Sequence, residues 1–265
     1  MNWYILLWSA VAVYSSFTIV FIIGQILKNA SIVDIFWGMS FITTTTVIAV
    51  IYRDNIFTSD LSSLPFLVSY SLLIIWGLRL TINLSIRNIG KGEDFRYKNW
   101  RETYKSYKIR MYINYLIQAT FSLSLTIPFI FMANNTINNE VTNYWFLLGN
   151  IITILGFVSE FIGDEQLRRF IKSKPGKDKV LKSGLWKYTR HPNYLGEHLI
   201  WLGFLVSSLS VNWTLGLIGI IPVLCFWTLL RFVSTPLVEK KMSEKSEWED
   251  YKNKTSIIFP FIDKK

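Results

Sequence analysis

The sequence is poor in two things. It has one cysteine in 265 residues, and only 17% of its side chains are charged. The lone Cys225 excludes an intrachain disulfide framework and any metal site built from cysteines. Lying inside an apolar run, it reads as a small apolar side chain with no chemical role. So little charge is out of keeping with a soluble domain of this length. No internal repeat, low-complexity tract or second domain is visible, so residues 1–265 read as a single domain.

Apolar and aromatic residues are abundant instead, at 51% and 16%. They fall in seven apolar blocks, about 3–23, 32–51, 65–86, 111–132, 144–163, 197–211 and 214–233. Most reach the roughly 20 residues that a helix needs to cross about 30 Å of hydrocarbon. The first block lacks a basic start and a small-residue cleavage site, so it reads as a retained helix and not a signal peptide. The pattern predicts an all-α integral membrane bundle of about seven transmembrane helices. The last two are expected to form a hairpin that turns at Asn212 and Trp213.

The basic residues set the orientation. Of 28 lysines and arginines, 25 fall in segments 24–31, 87–110, 164–196 and 234–265. The alternate connections 52–64, 133–143 and 212–213 hold only Arg53. The positive-inside rule then puts the N-terminus outside and the C-terminus in the cytosol, in a bacterial inner membrane or an endoplasmic reticulum membrane. The net charge of +10 is thereby a topology signal and an anion-attracting cytosolic face, with no nucleic acid partner. Sequons at Asn134 and Asn212 lie on the outer side, but asparagine is common here and chance accounts for them.

Ionisable side chains within a bilayer are costly and usually functional. Asp34, Arg79, Glu160, Glu197 and Arg231 all fall on the cytosolic side of this topology. Helical spacing groups Arg79, Asn83 and Arg87 on one face of the third helix. Glu160, Asp164 and Arg168 share a face of the fifth, where Asp164 and Arg168 have the spacing of an ion pair. A third cluster is the stretch GLWKYTRHPNYLGEH at 184–198. Gly184 permits a turn, and Pro192 suits the first turn of a helix, where its missing N–H costs little. Asn193 with Glu197, and Tyr194 with His198, are then neighbours one turn apart. The free N–H groups of that helix start, with Tyr188, Arg190 and His191 just before it, make a seat for an anionic group such as a phosphate.

These stretches resemble the DUF1295 family of membrane proteins, in the steroid 5-alpha-reductase C-terminal-domain superfamily. VDIFWG at 33–38, GLRL at 77–80, GKGEDFRY at 90–97, GDEQLRRF at 163–170, GLWKYTRHPNYLGE at 184–197 and WEDYKNKTSIIFPF at 248–261 agree in order and spacing. The resemblance implies a membrane reductase that uses NADPH to reduce a C=C bond of a lipid-like or steroid-like substrate, with no metal. Its cofactor half would be about 144–265. Asn193, Tyr194, Gly196, Glu197, Asp164, Arg168 (or Arg169) and Arg231 match positions that contact the dinucleotide in the reductases, and the tail match adds Asp250 and Tyr251. Phosphates would be held by Arg168, Arg190, His191 and Arg231, with Arg79, Asn83 and Arg87 bordering the same cavity. Tyr194 is the favoured proton donor over Tyr188 and His191, with Glu197 and Asp34 as further catalytic candidates and His198 polarising Tyr194. Where the reductases hold a substrate ketone with a Glu and a Tyr, the nearest counterparts are Asp34 and Trp76. Trp76 cannot act as an acid, which departs from a 3-keto-steroid site. RHPxY also resembles membrane methyltransferases of the isoprenylcysteine or phospholipid type, so an S-adenosylmethionine enzyme is the second reading. A transporter or sterol-binding module is the third.

Overall fold

The computed structural model describes residues 3–57, 63–134, 143–211 and 213–261, so the expected turn at Asn212 lies outside the described residues. The chain is built of helices: α1 Trp3–Ile26, α2 Ile32–Ile51, α3 Arg53–Ile56, α4 Leu64–Asn88, α5 Phe95–Thr103, α6 Tyr107–Leu125 and α7 Ile127–Asn134. There follow α8 Asn143–Lys172, a 3₁₀ turn Gly184–Lys187, α9 Pro192–Leu209, α10 Trp213–Ile218, α11 Ile220–Leu229, a π turn Leu230–Ser234, α12 Thr235–Met242 and α13 Trp248–Lys254. The described residues contain no strand beyond an isolated bridge between Thr189 and Ser256.

Among the described residues, six stretches are long and apolar enough to span a bilayer: Trp3–Ile26, Ile32–Ile51, Leu64–Asn88, Tyr107–Ala133, Tyr144–Lys172 and Gly216–Met242. The sixth expected span, 197–211, forms within α9, but Asn193, Glu197 and His198 occupy the first turns of that helix and lower its hydropathy below that of a spanning helix. The outward faces of the six remain apolar. On α1, Trp3, Leu7, Trp8, Ile19, Ile22 and Ile26 are exposed, a surface that only a bilayer would cover without penalty. The protein is an integral membrane protein.

The chain divides into two compact units, Met1–Phe146 with Ser207–Gly219, and Leu147–Val206 with Ile220–Lys265. In the first, α2 packs against α1, α4 and α6, and α7 packs on α4 and α2. Gly38 and Gly77 let α2 and α4 meet backbone to backbone, since a Cβ on Gly38 would strike the Gly77 carbonyl. The hydroxyls of Thr43, Thr44 and Thr45 fold back onto carbonyls of their own helix, so α2 carries them without orphaned polar groups.

In the second unit α8 and α9 are joined by a glycine seam. A Cβ on Gly156 would lie 2.6 Å from the Gly196 carbonyl oxygen, and one on Gly196 would lie 2.6 Å from the Glu160 Cβ. Gly163 meets Pro192 and Asn193 in the same way. Close approach of two helices in a bilayer needs such small residues. Here the seam fixes the first turn of α9 against Glu160 and Gly163 of α8.

Candidate functional site

The stretch 184–198 is folded by contacts distant in sequence. Gly184 has φ +65°, a left-handed conformation that side chains rarely adopt, and any Cβ there would collide with Gln166. Gln166 Oε1 accepts from the Leu185 N–H at 3.0 Å, and Trp186 Nε1 donates to the Gly163 carbonyl at 3.1 Å. The chain then runs beside the C-terminal tail. The Arg190 N–H donates to the Ser256 carbonyl at 2.8 Å and Thr189 Oγ1 to the Ile257 carbonyl at 3.0 Å. Pro192 opens α9.

Arg190 is buried, its side chain 1% exposed. Its Nε donates to Glu239 Oε1 at 2.8 Å, Nη2 to Glu239 Oε2 at 3.4 Å, and Nη1 to the carbonyls of Lys252 and Thr255 at 2.8 and 3.0 Å. The guanidinium therefore pins the tail through protein groups. Glu239 Oε1 also lies 3.0 Å from His191 Nε2. Burial, the larger influence, and the opposing pull of that carboxylate leave His191 below the usual imidazole range. The His191 ring stacks on Tyr194, centroids 5.1 Å apart and planes 10° off parallel. One turn on, His198 Nδ1 lies 2.6 Å from the Tyr194 carbonyl oxygen and so carries a proton, and its ring meets Trp227 and Phe259. Between them, Asn193 Oδ1 is buried and has no hydrogen-bond partner.

The other candidates of this unit lie as follows in the structure. Arg168 is exposed and pairs with Glu165 at 2.6 and 2.8 Å, not with Asp164 as its spacing suggested. Glu165 lies three and four residues ahead of Arg168 and Arg169 and captures both. Arg231 sits in the π turn, over the Phe232 ring at 5.1 Å, with Thr235 Oγ1 donating to the Leu230 carbonyl across the turn. Such turns inside helices often mark functional positions. Tyr188 is half exposed against Phe261. Asp250 is exposed and paired with Lys254, while Tyr251 is buried with its hydroxyl donating to the Trp186 carbonyl at 2.6 Å. Asp164 and Glu197 are half-buried on α8 and α9.

In the first unit, Arg79, Asn83 and Arg87 lie along one face of α4. Asp34 is in the first turn of α2, where it accepts from Arg96 Nη2 at 2.7 Å and from the Tyr97 hydroxyl at 2.9 Å. The segment GKGEDFRY supplies both donors. Asp94 caps α5 and its N–H donates to Ser31 Oγ at 2.8 Å. Glu93 accepts from the Ala30 N–H at 2.8 Å and from Arg101 Nε and Nη2 at 3.0 and 2.8 Å. Burial pushes the Glu93 carboxyl up, but these hydrogen bonds outweigh it and hold it below the ordinary carboxylate range. Tyr97 is raised well above a free phenol, by burial first and then by the Asp34 charge. GKGEDFRY is thus a strap across the start of α2.

Glu239, Glu93 and Arg101 were not among the sequence candidates. Glu239 is a lone acid ahead of two lysines, and nothing local marks it; its partners are 48 and 49 residues away. Glu93 lies in the recognised motif and Arg101 four residues after it, yet the Glu93 contact with the Ala30 N–H joins residues 63 positions apart.

The family model of DUF1295, "Protein of unknown function (DUF1295)", matches residues 20–255, and the chain belongs to this family. It is 25% identical over 92% of its length to an uncharacterised protein of Schizosaccharomyces pombe, covering 78% of that protein. It is 32% identical over 127 residues to 3-oxo-5-alpha-steroid 4-dehydrogenase 1 of Rattus norvegicus, 46% of this chain and 44% of the relative. It is 33% identical over 125 residues to protein-S-isoprenylcysteine O-methyltransferase of Saccharomyces cerevisiae, 44% of this chain and 49% of the relative. The chain thus spans about half the length of the two named enzymes it matches. No solved structure matches. Together these support a membrane enzyme of this superfamily.

Proposed function

We propose that the protein is an NADPH-dependent reductase acting on a C=C bond of a lipid-like or steroid-like substrate, with its cofactor side facing the cytosol. The observation that carries this reading is the unpartnered Asn193 Oδ1 at the start of α9. A buried amide oxygen without a donor carries a desolvation penalty of about 1–3 kcal/mol, which a ligand donor would remove. A nicotinamide carboxamide offers such a donor, and the resemblance to the reductases includes Asn193. The residues present therefore fit the dinucleotide. When bound, NADPH supplies a hydride.

This chain's own residues do the rest. Asn193 and Glu197 would orient the amide or ribose groups. Arg168, Arg231 and the start of α9, where the helix dipole is positive, would attract the phosphates. Arg190 would act through the tail, because its donors are engaged by Glu239, Lys252 and Thr255. Tyr194 would give the proton to the substrate, with His191 stacked on its ring. Bilayer and apolar helix faces would exclude water from the transfer.

The test is a titration of purified protein in detergent with NADPH, NADH and S-adenosylmethionine, read by quenching of its 11 tryptophans. Selective NADPH binding that is lost in Asn193→Ala is the expected result. The similarity to the yeast methyltransferase over 125 residues supports a second reading, in which the same turn holds S-adenosylmethionine. Binding of S-adenosylmethionine alone would replace the first reading with the second.

A further inference from the structure

We infer that Glu239 is a positioning residue that fixes the tautomer and orientation of His191 and, through the stacked ring, the orientation of Tyr194. The inference rests on the reading of Tyr194 as the proton donor, and it adds a residue that no motif in the sequence marks. Three elements contribute one member each: Glu239 from α12, His191 from the segment before α9, and Tyr194 from the first turn of α9.

The chemistry follows from donor counting. The Glu239 carboxylate, bound to the Arg190 guanidinium at 2.8 Å, is an acceptor only. His191 Nε2 faces the same Oε1 at 3.0 Å, so this ring nitrogen carries the proton and Nδ1 is left bare. A neutral imidazole committed in this way does not supply an acid proton from Nε2. His191 therefore leaves the list of proton donors and becomes the plate against which Tyr194 rests, 10° from parallel. Rotation of His191 about its side-chain bonds would break both contacts together. Arg190 makes the arrangement rigid: it donates to both oxygens of Glu239 and to the carbonyls of Lys252 and Thr255, which ties Glu239 to the tail. The C-terminal tail is thereby part of the support of the site.

The chain has two histidines, so selective ¹⁵N-histidine labelling gives two pairs of ring signals, and His198→Gln assigns them. In wild-type protein without cofactor, His191 should show its proton on Nε2 and upfield-shifted ring protons, the shift disappearing in Tyr194→Leu. Removing Glu239 alone would strand the buried Arg190 charge and risk the fold. The pair Arg190→Met with Glu239→Leu avoids this. In that protein the Nε2 preference and the ring-current shift should both be lost, and NADPH should bind about tenfold or more weakly, the scale seen when the partners that orient a site residue are removed. Glu239→Gln combined with Arg190→Met keeps an acceptor oxygen without an unpaired buried charge and should restore the tautomer and most of the affinity. A proton on Nδ1 in the wild type, or an unchanged His191 spectrum in the double variant, overturns the inference. So does normal NADPH affinity when the tautomer is lost. If wild-type protein fails to bind NADPH while the spectra behave as stated, the reductase reading falls and the Glu239–His191–Tyr194 arrangement stands.

Discussion

Two polar clusters in this chain are built from the same parts and differ in one respect. In the first unit Asp34, Glu93, Arg96, Tyr97 and Arg101 bind one another and the start of α2. In the second unit Arg190, His191, Glu239 and the carbonyls of Lys252 and Thr255 do the same for the start of α9. Both secure a helix start with carboxylate, guanidinium and aromatic groups. The second cluster adjoins an amide oxygen, on Asn193, that the protein leaves unpaired. Membrane proteins bury charge only when it is paired or functional. A cluster that closes on itself is explained by structure, while an open acceptor beside one calls for a ligand.

The largest effect should come from opening the second cluster. Arg190→Ala leaves Glu239 without its cation and removes the donors to Lys252 and Thr255. Loss of one partner of a buried ion pair costs about 3–5 kcal/mol. The thermal midpoint in detergent should fall steeply, and proteolysis should release the segment after Trp248. An unchanged midpoint would mean that the tail is held by other contacts.

The next pair of variants sets one cluster against the other. Arg101→Met strips Glu93 of two hydrogen bonds, which at the lower end of about 1.5 kcal/mol for each bond to a charged group should lower stability by about 3 kcal/mol. NADPH affinity should not change. Asn193→Ala should do the reverse: no loss of stability, because its oxygen has no partner to lose, and NADPH binding weaker by about tenfold, the equivalent of 1.4 kcal/mol. If Arg101→Met weakens cofactor binding and Asn193→Ala does not, the distinction between a closed and an open cluster fails.

Much of the scaffold was legible because apolar run length is a local property. The block at 32–51 is α2 to the residue. The apolar block at 144–163 is the membrane part of α8, and the helix runs on to Lys172, as the shared face of Glu160, Asp164 and Arg168 required; its polar end is held by helical pairing of Glu165 with Arg168 and Arg169 instead of an apolar face. α5 has no apolar run at all and was not anticipated; it is held by the strap contacts of Asp94 and Arg96. Within the site, Pro192 as a helix start and the spacing of Asn193, Tyr194 and Glu197 were readable from local rules. The engagement of Arg190 with the tail, and the place of Glu239 between Arg190 and His191, were not. They join residues 48 to 65 positions apart, and no periodicity reports such pairs.

The two clusters should also separate by pH. His191 is depressed in the folded state, by burial first, against the opposing Glu239 carboxylate and with Arg190 and Arg231 adding to the depression. Its neutral form is favoured by folding, so its contribution to stability is full above the unfolded value of about 6.5 and declines as pH falls below it. Glu93 is also depressed, so its contribution is full above its unfolded value, near 4.3, and is lost only in more acidic solution. Unfolding midpoints measured from pH 8 to 2 should decline in two stages. His191→Gln should reduce the upper stage, to which the buried His198, pushed down to about 4, also contributes, and Arg101→Met should reduce the lower. A single stage abolished by either variant would mean that the clusters titrate as one.

The smallest structural effect belongs to Arg168→Ala. This residue is exposed, and its contact with Glu165 is shared with Arg169, so Glu165 keeps a partner when Arg168 is lost. Exposed ion pairs of this kind contribute little to folding. The thermal midpoint should therefore stay where it is. If Arg168 attracts a cofactor phosphate, NADPH should bind several-fold more weakly in the variant, and the gap from wild type should close as salt is raised, since an exposed charge acts within a Debye length of about 10 Å at 0.1 M. A gap that does not respond to salt would assign the loss to displaced structure, and no gap at all would leave the phosphates to Arg231 and the start of α9.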